Sequence, residues 1–419
     1  MKGYDVVAGL VAAACVAGAA ELAVSPGFET GTKSQGGPEP FIEKADLFEA
    51  GRLGYKVYHI PGVAVTAKGT VLAWCEARKK GSDWDAIDIL LRRSTDNGKT
   101  FGEPKRIADV KGPVAKNPVA LRLKFVSTND VTYNNAVLIP DRDGTVHALF
   151  CVEYMRCFTM RSADDGATWS EPAEITSVFE KYRPSYDWKV LATGPDHGIQ
   201  LKSGRLVVPV WLSTGTGGNA HRPSVTATVF SDDGGKTWQA GDVAVPCTET
   251  WINPNETVAV ELSDGRVMLN VRNESKAHRR LVTVSPDGAS RWSEPRFDEA
   301  LLEPICMGSV VRYPAKGGPG YLLFSNPDNL SCADGKEVPG KNRDRKNLSV
   351  KLSADDGRTW PVCRTVEPGW SMYSDLAVAQ DGTILCFYGR GEKRDFAGDR
   401  LTLARFNLEW LTQGKGVPK

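Results

Sequence analysis

What the 419-residue sequence lacks narrows its role first. Lys and Arg total 52 against 51 Asp and Glu, a formal charge of +1. With no long basic run and no aromatic-basic interleaving, nucleic acid and anionic membrane surfaces are not expected partners. None of the nine cysteines has CxxC spacing, which argues against a zinc site or a small disulfide scaffold. Cys75, Cys151 and Cys386 sit in apolar strand-like runs and read as buried thiols; a Cys151–Cys157 disulfide is left open. No long segment keeps helical periodicity outside the first twenty residues, so an all-β chain is expected. The apolar stretch Val6 to Ala20 is too short to span a membrane.

Residues 1–20, with Lys2 and the small-residue Ala17-Gly-Ala19, read as a secretory signal, and a secreted or periplasmic protein follows. Residues 21–45, rich in Gly, Pro, Glu and Ser, read as a linker, 46–412 as the folded body and 413–419 as a tail. Four Asn-x-Ser/Thr sequons, at Asn255, Asn273, Asn329 and Asn347, are read as chance, because two fall beside candidate site residues.

What is present is an octapeptide in five near-copies. It begins at Ser94, Ser162, Ser231, Ser285 (eroded) and Ser353, at intervals of 68, 69, 54 and 68 residues. Ser94-Thr-Asp96-Asn-Gly98-Lys-Thr100-Phe101 reads as a hairpin turn: Ser and Asp bond backbone N–H groups, Gly takes the positive φ, and an aromatic covers the seam. The interval suits a four-stranded blade, and the length gives a six-bladed β-propeller. A Ca²⁺ role for the box Asp residues is set aside, since a turn needs the same side chains.

Propellers carry function on loops around the central channel, so polar residues that interrupt apolar strands are the candidates. They are Arg78 and Asp83 in Glu76-Ala-Arg78-Lys-Lys-Gly-Ser-Asp83, Glu256 in Asn255-Glu256-Thr, Arg272 after Val267-Met-Leu-Asn-Val271, Arg345 in Arg345-Lys-Asn-Leu348, and Tyr373 in Tyr373-Ser-Asp-Leu376. With its boxes, this order resembles the exo-α-sialidases, six-bladed BNR-repeat glycoside hydrolases, from about Tyr55 to Leu411.

The resemblance implies Asp83 as general acid/base, Tyr373 as nucleophile and Glu256 as its base. Arg272 and Arg345 would bind the substrate carboxylate, with Arg78 and Asn135 as further substrate contacts. It implies sialylated or other acidic glycans as partners and no metal or organic cofactor. A tyrosine nucleophile is physically sensible: a sugar with its carboxylate on the anomeric carbon repels an attacking carboxylate, and a neutral phenol avoids that cost. Sialidases are an acknowledged exception to the two-carboxylate rule for this reason.

The chain also departs from the family. His59-Ile60-Pro61 stands where an Arg-Ile-Pro motif supplies the first arginine, and Tyr388-Gly389-Arg390 lacks the glutamate that orients it. Three readings remain: His59⁺ or Arg390 replaces the missing contact, the pocket takes a different acidic sugar, or His59 is packing. The alternatives to a retaining sialidase are a non-catalytic glycan-binding propeller and a propeller acting on a uronate, as hydrolase or as a lyase using His59 and Tyr373.

Overall fold

Alternation of apolar and polar residues, broken by Gly-containing turns, produces strands almost throughout the computed structural model, which describes residues 38–126, 130–315, 317–392 and 398–417. The signal segment at 1–20 and most of the linker lie outside the described residues. The linker's end is corrected: Ile42–Glu49 is a strand, antiparallel to Arg400–Phe406, so the folded body starts before residue 46. Among the described residues no helix is long and apolar enough to cross a membrane.

The strands form five hydrogen-bonded sheets in a propeller-like arrangement. The first contains Val57–Val65, Val71–Arg78, Ile87–Ser94 and Lys105–Arg106; the second is built on Tyr133–Pro140, Val146–Val152 and Arg156–Ser162. The third is built on Leu206–Ser213 and Ser224–Ser231, and the fourth runs from Thr257–Glu261 to Arg296–Leu302. The fifth has seven strands, from Ser309–Tyr313 through Arg400–Phe406 to Ile42–Glu49.

Six separate blades are therefore not what forms. The 17-residue strand Val362–Val378 pairs with Lys346–Ser353 through its first part and with Ile384–Arg390 through its last, fusing two ladders into one sheet. Pro368, which lacks an N–H, falls where the first ladder slips register, between Glu367↔Leu348 and Trp370↔Lys346, so it breaks no regular pair.

The boxes dock each sheet on its neighbour. In the first, Ser94 Oγ donates to Asp96 Oδ1 at 2.7 Å, Gly98 N donates to Ser94 Oγ, and Thr100 N and Oγ1 bond the Asp96 carboxylate. The same bonds recur around Asp164, Asp233 and Asp355. Gly98 and Gly166, at φ +77° and +76°, need the left-handed region and also fit closely against another sheet. A Cβ on Gly166 would meet Leu72 of the first sheet at 3.1 Å, and one on Gly98 would meet Leu403 of the last at 3.3 Å. Packing of Val71, Ala73 and Cys75 against Leu385, Phe387 and Leu403 joins the first sheet to the last.

Candidate active site

Apart from Asp83, which lies in a connection, the candidate residues lie at strand ends or at an irregularity in a strand. Arg78 closes Val71–Arg78, and Asp83 follows in the connection to Ile87. Glu256 immediately precedes Thr257–Glu261 and Arg272 immediately follows Val267–Val271. Their backbones are joined by Arg272 N donating to Glu256 O at 2.9 Å. Arg345 precedes Lys346–Ser353, whereas Tyr373 sits inside the long strand at the slip between Ser371 and Ser374.

Four of these residues converge. The buried Tyr373, 5% exposed, donates its phenolic proton to Glu256 Oε1 at 2.7 Å and accepts from Arg272 Nη1 at 2.7 Å. Arg272 Nη1 also binds Glu256 Oε2, while its Nε is buried without a partner. Arg345 lies over the Tyr373 ring, 5.5 Å from its centroid, and donates Nη2 to the Ile305 carbonyl at 2.6 Å. Among the described residues it pairs with no carboxylate, which leaves its charge for a ligand.

Burial pushes the Tyr373 phenol well above its usual range, and Glu256 adds to this against the pull of Arg272 and Arg345. The phenol is therefore neutral at rest, and it becomes a nucleophile only as its proton passes to a base already hydrogen-bonded to it.

A second cluster adjoins it. Arg78 donates Nη2 to Glu76 Oε2 at 2.7 Å and Nη1 to Asp83 Oδ1 at 2.6 Å. Glu76 is buried, and its other oxygen accepts from Asn135 N at 2.8 Å. Burial pushes the Glu76 carboxyl up, with Arg78 opposing it. The Asp83 side chain is 48% exposed; desolvation raises its pKa, but the Arg78 guanidinium paired with it holds the carboxyl below the usual range. At rest Asp83 is thus an anion, and it needs a change in its contact with Arg78 to carry a proton.

His59 links the clusters. Its ring centroid is 4.6 Å from that of Tyr373, and across the ladder it opposes Glu76. Desolvation and the surrounding Arg78, Arg345 and Arg272 hold its pKa well below the usual value despite Asp83, so of the three readings the one with a cationic His59 contact is disfavoured. Arg390 does not supply the missing guanidinium either: both carboxylate oxygens of Asp46 accept from it at 3.0 Å, and its Nε donates to Thr402. Asn135 is buried beneath the Arg78–Glu76 pair with φ +52°, and the bond it makes there is through its backbone, as a support for Glu76.

Sequence reasoning missed several residues here. Glu76 was detectable as a carboxylate two residues before Arg78 in the otherwise apolar strand Val71–Arg78. His221, packed on Tyr154 and Trp84 at 5.0 and 5.6 Å, lies in a Gly- and Asn-rich loop with no local signal. Asp196 is fully buried and neither carboxylate oxygen has a partner. Burial, with Asp375 and Glu256 nearby, pushes its pKa well up and keeps it protonated. Cys151 and Cys157 are free thiols.

Residues 122–386 match the BNR repeat-like domain family. The chain is 32% identical to a sialidase of Micromonospora viridifaciens over 96% of its length and 30% identical to a sialidase of Bacteroides fragilis over 72%. It spans 58% and 54% of those two proteins, little more than half of each. In fold it is similar to the Hadza microbial sialidase Hz136, with TM-score 0.70 and 24% identity over 88% of this chain and 69% of the other. It is also similar to the intramolecular trans-sialidase of Ruminococcus gnavus, with TM-score 0.68 and 19% identity over 89% and 98%.

Proposed function

This chain belongs to the sialidase family of BNR-repeat proteins, and from that premise we propose that it is a retaining exo-glycosidase that releases a terminal α-linked sialic acid or a related acidic sugar from glycoconjugates. The observation that carries the reading is the Tyr373 hydroxyl held at 2.7 Å from both Glu256 Oε1 and Arg272 Nη1.

In this mechanism the substrate carboxylate lies on Arg345 and Arg272, where planar guanidinium groups give charge-assisted hydrogen bonds. The Tyr373 oxygen attacks the anomeric carbon as its proton moves to Glu256, and Asp83 protonates the departing glycosidic oxygen. Water, deprotonated by Asp83, then attacks the same carbon. The bond to Tyr373 breaks, the phenolate takes its proton back from Glu256, and two inversions give net retention. Asp83 gains its first proton when the incoming sugar draws Arg78 from it, since loss of that contact raises the carboxyl pKa.

The seven-stranded sheet reads here as two blades sharing Val362–Val378, which would make six, and the signal-like residues 1–20 support export. Oligosaccharides ending in an acidic sugar are the partners. A second reading, lyase action on a uronate, draws on the neutral His59 beside Tyr373 as a base; it would give an unsaturated, ultraviolet-absorbing product.

The test is incubation with α-2,3- and α-2,6-sialyllactose, following the first-formed anomer by proton NMR. The proposal expects the α-anomer first. A β-anomer first would overturn the retaining mechanism, and no release with either linkage would overturn sialic acid as the sugar.

A further inference from the structure

We propose that Cys151 and Cys157 form a cross-strand disulfide under oxidising conditions, stapling the hairpin turn that carries Tyr154 against Trp84. The inference does not depend on the catalytic reading.

The two cysteines are direct partners in the ladder between Val146–Val152 and Arg156–Ser162, one position in from the closing pair Val152↔Arg156. Directly opposed residues in an antiparallel pair project to the same face, with Cα atoms about 4.5–5.5 Å apart. That range lies inside the one a disulfide accepts, about 4.4–6.8 Å. Both side chains belong to the same buried apolar cluster, so they share the inner face of the hairpin.

The turn between the strands is one that needs holding. Glu153 and Tyr154 are consecutive non-glycine residues at φ +55° and +49°, a conformation that persists only where its surroundings enforce it. Existing restraints are Glu153 Oε1 accepting from Thr132 N at 2.9 Å and from Lys116 Nζ at 2.6 Å, and Asn117 Nδ2 donating to the Glu153 and Tyr154 carbonyls. The buried Tyr154 ring packs on Trp84 at 4.7 Å, and Trp84 is the residue after Asp83. A covalent link behind the turn would therefore steady one wall of the Asp83 loop.

In the folded chain both thiols are fully buried, in a core shared with Leu191 and Leu212 of the third sheet. Oxidation must then come before that sheet docks, when the hairpin alone has formed. The short separation, six residues, makes this encounter fast. One thiolate attacks a disulfide such as glutathione disulfide and releases glutathione thiolate. The second thiol displaces the other glutathione, so two thiols are oxidised and two glutathiones are reduced.

The full chain would be unfolded, refolded in a glutathione redox buffer or in dithiothreitol, alkylated on unfolding and digested with trypsin. Cleavage after Arg142, Arg156 and Arg161 separates Asp143–Arg156 from Cys157–Arg161, so the two peptides stay joined only through the disulfide. The proposal expects the linked pair as the main form from the redox buffer, lighter than the reduced pair by two hydrogens. Recovery of both peptides alkylated, or of Cys151 linked to another cysteine, would overturn it. For the staple itself, amide exchange over 153–156 should be at least threefold slower in the oxidised than in the reduced protein. A Cys151→Ser, Cys157→Ser variant should show no response to redox state. Equal exchange in both wild-type forms would contradict the stapling role.

Discussion

The rings of His59 and Tyr373 lie 4.6 Å apart, centroid to centroid, at an angle of 54°. An imidazole thus packs on the candidate nucleophile at the strand position where the resemblance implies an arginine. Burial disfavours its charged form, and charging it would also put a cation among Arg78, Arg345 and Arg272, so its pKa falls well below the usual value.

Acid should therefore cost stability through His59. Its folded pKa is below the unfolded value, near 6.5, so the unfolded chain binds more protons and stability drops as pH falls below that value. One pH unit caps the effect of a single histidine at about 1.4 kcal/mol. His147 and His221 act in the same direction, and His197, whose pKa is raised, acts in the opposite one. Urea midpoints at pH 7.5 and 5.5 should fall less in His59→Gln than in the wild type. An equal fall in both would show that His59 is not held neutral.

Asp83 should matter in proportion to the leaving group's need for a proton. Asp83→Asn is expected to slow sialyllactose cleavage at least about a hundredfold, the usual scale of general-acid help, and a nitrophenyl sialoside by much less. Equal losses on both substrates would remove Asp83 from the acid role.

Arg345→Lys should raise KM and lower kcat/KM by about tenfold or more, because a point charge cannot reproduce a planar fork on a carboxylate. Stacking over Tyr373 would also be lost. Unchanged kinetics would mean that the substrate acid group lies elsewhere.

Glu76→Ala leaves buried Arg78 without its inner partner and Asn135 N without an acceptor. Breaking a buried pair from one side costs about 3–5 kcal/mol, so the variant should unfold at clearly lower denaturant. A loss within about 0.5 kcal/mol would identify the pair as dispensable.

Local chemistry made the boxes legible in the sequence: each needs its own Ser, Asp, Gly and Thr, and the structure forms the same bonds at each full copy. Tyr373, Glu256 and Arg272 were legible as candidates because each stands out against an apolar strand, and that they form one site was implied by the family resemblance. What was hidden depends on long-range register. Residues 42–45 read as linker because the partner of their strand, Arg400–Phe406, lies at the other end of the chain. The strand Val362–Val378 runs through Pro368 because the ladder slips there, a register that only its pairing partner sets. The neutrality of His59 follows from its burial and from three arginines brought together by different sheets, which no local window contains.

The central claim is that the Tyr373 oxygen bonds the anomeric carbon of an acidic sugar. Its most direct measurement is mass spectrometry of the protein quenched after reaction with a 2,3-difluorosialic acid, whose fluorine at carbon 3 slows hydrolysis of the adduct. The account predicts one sugar per chain, located on Tyr373 by peptide fragmentation and absent in Tyr373→Phe. An enzyme that releases sialic acid from sialyllactose yet gives no adduct, or carries the adduct on another residue, would contradict it.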